Sequence, residues 1–258
     1  MKKQKLPELF VVAAVLLVIF VILPILLTFA STSATNLFET LIDPEVARSI
    51  GLTFLAAGIA SALGVLMGLP LAYILARRDF RGKGLIEGLI DLPLIIPHTA
   101  AGIALLMVFG RQGVLGKLVR PLGLFFVDTL AGVVVGMLFV SIPLLVNAAR
   151  DAFKAVDSDL EQSARVDGAS AWKVFLTITL PLAWRGVVSG VITMWARGIS
   201  EFGAVAILAY SPKIVPVLIY EKFQGFGLKA ATPIAAILLV IVVLVFFVLR
   251  SLAGAIDD

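Results

Sequence analysis

The sequence contains no cysteine and a single histidine, His98. The first absence excludes disulfides, thiolate metal sites and a cysteine nucleophile. The second excludes a multi-histidine metal centre. Charge is also scarce: Asp, Glu, Lys and Arg make up 15% of the 258 residues, against about 25% in a typical soluble domain. No GxxxxGK[ST] stretch is present, so the chain itself is not expected to hydrolyse a nucleotide through such a loop. Apolar residues fill the space instead, at 60% of the chain with a mean hydropathy of +1.09. That excess is too large for a water-soluble core, and runs of about 20 apolar residues read as membrane-spanning helices. The net charge of +4 is modest and reports topology rather than nucleic-acid binding.

Six such runs are legible. The first covers residues 9–27 after Lys2, Lys3 and Lys5. The small residues 30–34 leave a signal peptide open, but the run exceeds the 7–15 residues of a signal h-region, and its length favours a retained helix. The others cover about 50–75, 86–110, 130–149, 186–210 and 230–249. Polar segments at 31–49 and 111–128 and a loop at 211–229 separate them, and Asp43-Pro44 reads as a helix start. Gly64/Gly68, Gly132/Gly136 and Gly186/Gly190 are GxxxG steps, best read as close packing within one bundle rather than as a dimer seam. In the third span, Pro93 and Pro97 are expected to open the helix ladder beside His98 and Thr99. Irregular backbone at membrane depth is tolerated only against protein or a water-filled cavity, so this helix is a candidate for lining a path.

Six spans place both termini and the longest polar insertion, residues 157–181, on one side. That side carries Lys2, Lys3, Lys5, Arg77, Arg78, Arg81, Lys83, Arg150, Lys154, Arg165, Lys173, Arg185 and Arg250. The other carries only Arg48, Arg111, Lys117, Arg120, Lys213, Lys222 and Lys229, and Arg197 lies within a span. The positive-inside rule therefore assigns the insertion and both termini to the cytoplasm. The insertion mixes acids and bases with Leu160, Val166, Trp172, Val174 and Phe175. Ser158 and Glu161 have capping-box spacing, Gly168 suits a left-handed helix end, and Ser170 suits the cap of a second short helix.

Gly168, Ile178, Leu180 and Pro181 have the G-x9-I-x-L-P spacing of the EAA loop, and the chain here resembles the permeases of ABC importers. Glu161-Gln162-Ser163-Ala164-Arg165 stands where that family shows its E-A-A run, with Gln162 in the Glu position and Ser163 replacing an alanine. Glu161 then reads as a helix cap, and Gly168 with the small face at Ala164 reads as the docking surface. Arg197-Gly198-Ile199-Ser200-Glu201-Phe202-Gly203-Ala204 resembles the R-x-x-x-E-F-G-A signature of permeases for tetrahedral oxyanions. Residues 95–104, IIPHTAAGIA, resemble the molybdate/tungstate branch.

The resemblance implies an all-α membrane protein of the type I importer permease fold, one permease domain over residues 1–258, with its coupling loop at about 151–185. It implies a multi-pass subunit in the cell membrane of a prokaryote, paired with a second copy of itself. Its partners would be two ATPase subunits that carry MgATP and an extracytoplasmic oxyanion-binding protein, with no cofactor on this chain. Coupling residues would be Glu161, Ala164, Arg165, Gly168, Ala169 and Ser170. Path or gate residues would be Pro97, His98, Thr99, Arg197, Ser200 and Glu201. Arg197 and Glu201 are one helical turn apart and are expected to pair near mid-membrane, either facing the path or clamping helices. A sulfate or thiosulfate permease is the nearest alternative. An intramembrane enzyme would need His98 as its only imidazole. A scaffold would bind the ATPase without moving substrate.

Overall fold

The computed structural model describes residues 8–254, and all regular elements there are helical. Lys2, Lys3, Lys5, Asp257 and Asp258, and the side chain of Arg250, lie outside the described residues. The helices are α1 Glu8–Ala30, α2 Ala34–Ile42, α3 Pro44–Arg77, α4 Lys83–Ile95, α5 His98–Phe109, α6 Val114–Val119, α7 Leu130–Ala155, α8 Ser158–Val166, α9 Ala171–Val174, α10 Leu180–Ile199, α11 Gly203–Leu208, α12 Val215–Phe226 and α13 Leu228–Gly254. A 3-10 turn, Arg120–Leu122, follows α6, and a π-helical turn, Phe175–Thr179, joins α9 to α10. Six stretches among the described residues are long and apolar enough to cross a membrane.

Helix α7 is the spine. It packs along α3 and α10 and also holds α4 and α11. Where lipid gives no hydrophobic drive between helices, close approach of small residues supplies the packing. All three GxxxG steps are used inside the chain, as expected. A Cβ on Gly186 would sit 2.5 Å from Ala152 Cβ, and one on Gly190 would sit 2.8 Å from Ala148 Cβ. Gly64 meets Met194, Gly68 meets Ile142 and Val146, and Gly136 meets Val205. One buried cluster, including Leu75, Leu145, Phe153, Phe175 and Met194, fills the α3–α7–α10 contact. Another, including Ala57, Val133, Met137, Ile199, Val205 and Ile214, continues it toward α11 and α12.

Several boundaries differ from the sequence-based ones. Only one of the two prolines opens the third span. Pro93 stays inside α4, whereas Ile96, ahead of Pro97, is extended (φ −72°, ψ 145°) and ends the helix. A residue preceding proline is sterically pushed out of the helical region; Ile96 follows that preference, whereas Leu92, ahead of Pro93, stays helical. The third apolar candidate accordingly runs His98–Leu122, and the expected polar loop at 111–128 contains α6. Span five begins earlier than 186 and its helix stops at Ile199; Ser200 and Glu201 form a break before the short α11. Asp43 does cap α3, accepting from the Glu45 N–H at 2.7 Å, with Pro44 in the first turn. Helix α3 has 34 residues, about 51 Å at 1.5 Å per residue, and so exceeds a hydrocarbon core of about 30 Å.

Because the α7–α10 seam depends on missing side chains, Gly186→Leu is expected to part the two helices. Overpacking of this kind costs about 1–3 kcal/mol. Thermal unfolding of the detergent-solubilised protein should show a lower midpoint, and an unchanged midpoint would contradict the seam.

Candidate functional site

Two polar centres stand out in this apolar bundle, each built on a buried glutamate. The first lies under the 157–181 loop. Helix α8 is capped by Asp157, whose carboxylate accepts the Asp159 N–H at 2.9 Å. The expected Ser158/Glu161 capping box does not form. The helix starts one residue early, which moves Glu161 off the box position and turns it inward, where it is 4% exposed. Its Oε1 accepts from Arg77 Nε at 2.9 Å and from Thr179 Oγ1 at 2.7 Å, and Arg77 Nη2 lies 2.8 Å away. Its Oε2 accepts from Tyr73 at 3.3 Å, with Arg165 Nη2 at 3.9 Å. Arg77 also donates to the Val156 carbonyl at 2.9 Å. One carboxylate thus ties α8 to the end of α3 and to the π-helical turn that starts α10.

An aromatic cluster backs the ion pair. Tyr73 lies edge-on to Phe153 and Phe175 at 5.8 and 5.0 Å, and Trp172 stacks on Phe175 at 5.6 Å. The elbow between α8 and α9 follows the expected pattern. Gly168 has φ +87°, a conformation open to glycine. The Ala169 N–H bonds to the Ala164 carbonyl and the Gly168 N–H to the Arg165 carbonyl, both at 3.0 Å, closing a Schellman motif. Ser170 caps α9 through the Lys173 N–H. With Glu161 turned inward, the outward face of the loop carries Arg165, Gly168 and Ser170, half-buried Ala164 and Ala169, and the apolar Val166 and Trp172, 87% and 67% exposed. Glu161 is therefore neither a helix cap nor a surface contact. Its partners Tyr73, Arg77 and Thr179 leave no trace in local spacing. The only hint is a cation ending the second span.

The second centre sits at the α10–α11 break. Arg197 lies in the last turn of α10. Its Nη2 donates to Glu201 Oε2 at 2.9 Å, so the expected pair forms. The same nitrogen is 2.9 Å from His98 Nδ1 and 3.0 Å from Nε2, and His98 Nδ1 is 3.1 Å from Glu201 Oε2. Glu201 is fully buried and also accepts the Ala204 N–H at 2.8 Å, which caps α11. Ser200 Oγ lies 3.3 Å from Arg197 Nη1. Gly203 packs against the His98 backbone, where a Cβ would have no room. Pro97, Thr99 and Ser200 are exposed at the rim, and His98 and Arg197 are partly exposed. The structure brings four of the six expected path residues, His98, Arg197, Ser200 and Glu201, into contact.

A long-helix bundle with a structured loop at one end and a buried ionic cluster at a broken helix defines a multi-pass transport subunit of the type I importer permease class. The chain belongs to the family of binding-protein-dependent transport system inner membrane components, whose profile matches residues 68–258. It is 42% identical over 248 residues to the molybdate/tungstate transport system permease protein WtpB of Thermococcus kodakarensis, covering 95% of each chain. It is 44% identical over 240 residues to the Pyrococcus furiosus protein of the same name, covering 92% of this chain and 91% of that one. Among solved structures, a bacterial ABC transporter involved in import of the acidic polysaccharide alginate shares the fold, with a TM-score of 0.76 at 17% identity over 97% of this chain and 95% of that one. The chain is thus a membrane permease subunit rather than the ATP-hydrolysing component.

Removing one partner of a buried ion pair strands the other charge. Glu161→Ala, which leaves Arg77 unpaired, is expected to destabilise the protein by about 3–5 kcal/mol. Glu161→Gln keeps acceptors for Thr179 and Arg77 and should be milder. Melting of the two purified variants checks the order, and equal midpoints for Glu161→Ala and the wild type would contradict the clamp.

Proposed function

We propose that this permease imports molybdate and tungstate as a pair of identical copies, driven by two MgATP-hydrolysing subunits on the cytoplasmic side and supplied by an extracytoplasmic oxyanion-binding protein. The whole chain acts as one membrane domain in a prokaryotic cell membrane, with both termini and the α8–α9 loop in the cytoplasm. The charge asymmetry between its two sides supports that orientation. The substrate class is supported by the names of relatives at 42% and 44% identity over more than nine-tenths of the chain.

The observation that carries the coupling half is the two-faced α8–α9 loop. Its outer face offers Val166 and Trp172 beside Ala164, Arg165, Gly168, Ala169 and Ser170, a small apolar platform suited to a groove on the ATPase. Aromatic anchors of this kind dominate binding energy at protein interfaces. Its inner face, through Glu161, is joined to α3 and to the start of α10. A displacement of the loop by the closing ATPase pair therefore moves both helices. Helix α10, with 20 residues and about 30 Å long, leads from the Glu161 clamp to the Arg197 cluster. Nucleotide state then sets which side of the membrane the path opens to, because the ATPase has different affinity for the two arrangements.

Two outcomes follow. In vesicles reconstituted with the ATPase and the binding protein, molybdate and tungstate should compete with each other for uptake, and excess sulfate should not. Equal competition by sulfate would favour a sulfate permease. Gly168→Leu forces a side chain into a left-handed backbone, a strain of roughly 1–2 kcal/mol, at a point with no atom of this chain within 4 Å of the new Cβ. It should abolish co-purification with the ATPase while the permease still folds, with a melting midpoint lowered by only a few degrees. Normal ATPase binding by that variant would remove the docking role of the loop.

A further inference from the structure

We propose that Arg197, with His98 and Ser200 around it, forms a transient oxyanion subsite on the path, and that the buried carboxylate of Glu201 is a fixed counter-ion that holds its affinity low. This rests on the reading of the chain as an oxyanion permease.

The location points to a path. The cluster joins side chains 99 positions apart, and its polar rim is open on the surface of the chain. Hydrocarbon does not tolerate such a rim, so it faces water or a second protein surface. The donor set fits a tetrahedral anion. Arg197 uses Nη2 on Glu201 and His98 and Nη1 on Ser200, and its Nε has no partner among the described residues. The guanidinium side chain is 23% exposed and can turn one edge outward without leaving Glu201. The Ser200 hydroxyl flanks it, accepting from Nη1 and donating to the Arg197 carbonyl at 3.0 Å, and a turn about its C–O bond would redirect that donor to a bound oxygen.

Glu201 cannot follow. It is 0% exposed and is tied down by the Ala204 N–H and by His98. The acid therefore stands behind the arginine and offers the passing anion no exposed carboxylate. Arg197 and Glu201 together carry no net charge. A dianion beside an unpaired guanidinium in a low-dielectric site would be held strongly. Transport requires a site weak enough to leave. Glu201 supplies that weakening by sharing the guanidinium.

The test measures binding directly. Radiolabelled molybdate is equilibrated with the detergent-solubilised permease–ATPase complex, without binding protein, for wild type, Glu201→Gln and Glu201→Gln/Arg197→Gln. Glutamine keeps an acceptor for the Ala204 N–H but lacks the charge. Glu201→Gln should bind molybdate about tenfold more tightly or better, the expected result of removing one charge from a close pair. The double variant should lose that gain, and Glu201→Gln vesicles should show slower maximal uptake because the anion is retained. Unchanged affinity in Glu201→Gln, or tight binding that survives in the double variant, would overturn the proposal. If Glu201→Gln does not fold, Arg197→Lys decides: it keeps the charge and loses the fork, and uptake at the wild-type rate with normal ATP hydrolysis would overturn the subsite. Wild-type vesicles that take up no oxyanion would overturn the transport reading itself. Uptake by the wild type with unchanged Glu201→Gln binding would overturn only the subsite.

Discussion

The buried Glu161 carboxylate is the constraint on which the cytoplasmic end depends. It is surrounded by donors from three separate segments: Tyr73 and Arg77 of α3, Arg165 of α8 and Thr179 of the π-helical turn. A buried ion pair is weak evidence for net stability, because desolvation offsets much of its attraction. Its geometry is strong evidence for specificity. Only one placement of α8 satisfies every donor, so the loop has one position relative to α3 and α10. The Tyr73, Phe153, Phe175 and Trp172 rings then exclude water from that arrangement. The loop is thus a rigid extension of the helices and not a tether between them.

Helix α10 links this clamp to the second buried glutamate. One end begins beside Thr179, in the Glu161 shell, and the other ends at Arg197, in the Glu201 shell. Between them the helix is pressed to α7 through Gly186 and Gly190, contacts that hold the two backbones close. The π-helical turn at 175–179 sits at the clamp end, a conformation common where helices are adapted to function. The same chemistry, a glutamate sharing an arginine, thus serves two purposes. At Glu161 it fixes a position. At Glu201, in the proposed oxyanion subsite, it sets how strongly that charge is offered.

Much of this was legible in the sequence because it is local. Six apolar runs exceed membrane thickness, Gly168 and Ser170 carry turn and cap chemistry, and Arg197 and Glu201 are one helical turn apart. The misreadings share a cause. Ser158 and Glu161 have capping-box spacing, but Asp157 begins the helix one residue earlier and Arg77, 84 positions away, claims the glutamate. Pro93 and Pro97 look alike in sequence, yet Pro93 is buried inside α4 and only Pro97 marks a break. His98 joins the Arg197 pair through the contact of α5 with α11, which no spacing within either segment announces. Tertiary partners of a charged group are invisible to periodicity, and both glutamate centres depend on them.

In the proposed coupling, Glu161 carries motion from the loop into α3 and α10. The direct measurement is the amount of oxyanion imported per ATP hydrolysed in vesicles containing the Glu161→Gln permease with its ATPase and binding protein. The account predicts that the ATPase still docks and still hydrolyses ATP, while uptake per ATP falls several-fold below the wild-type ratio. A wild-type ratio in that variant would contradict it.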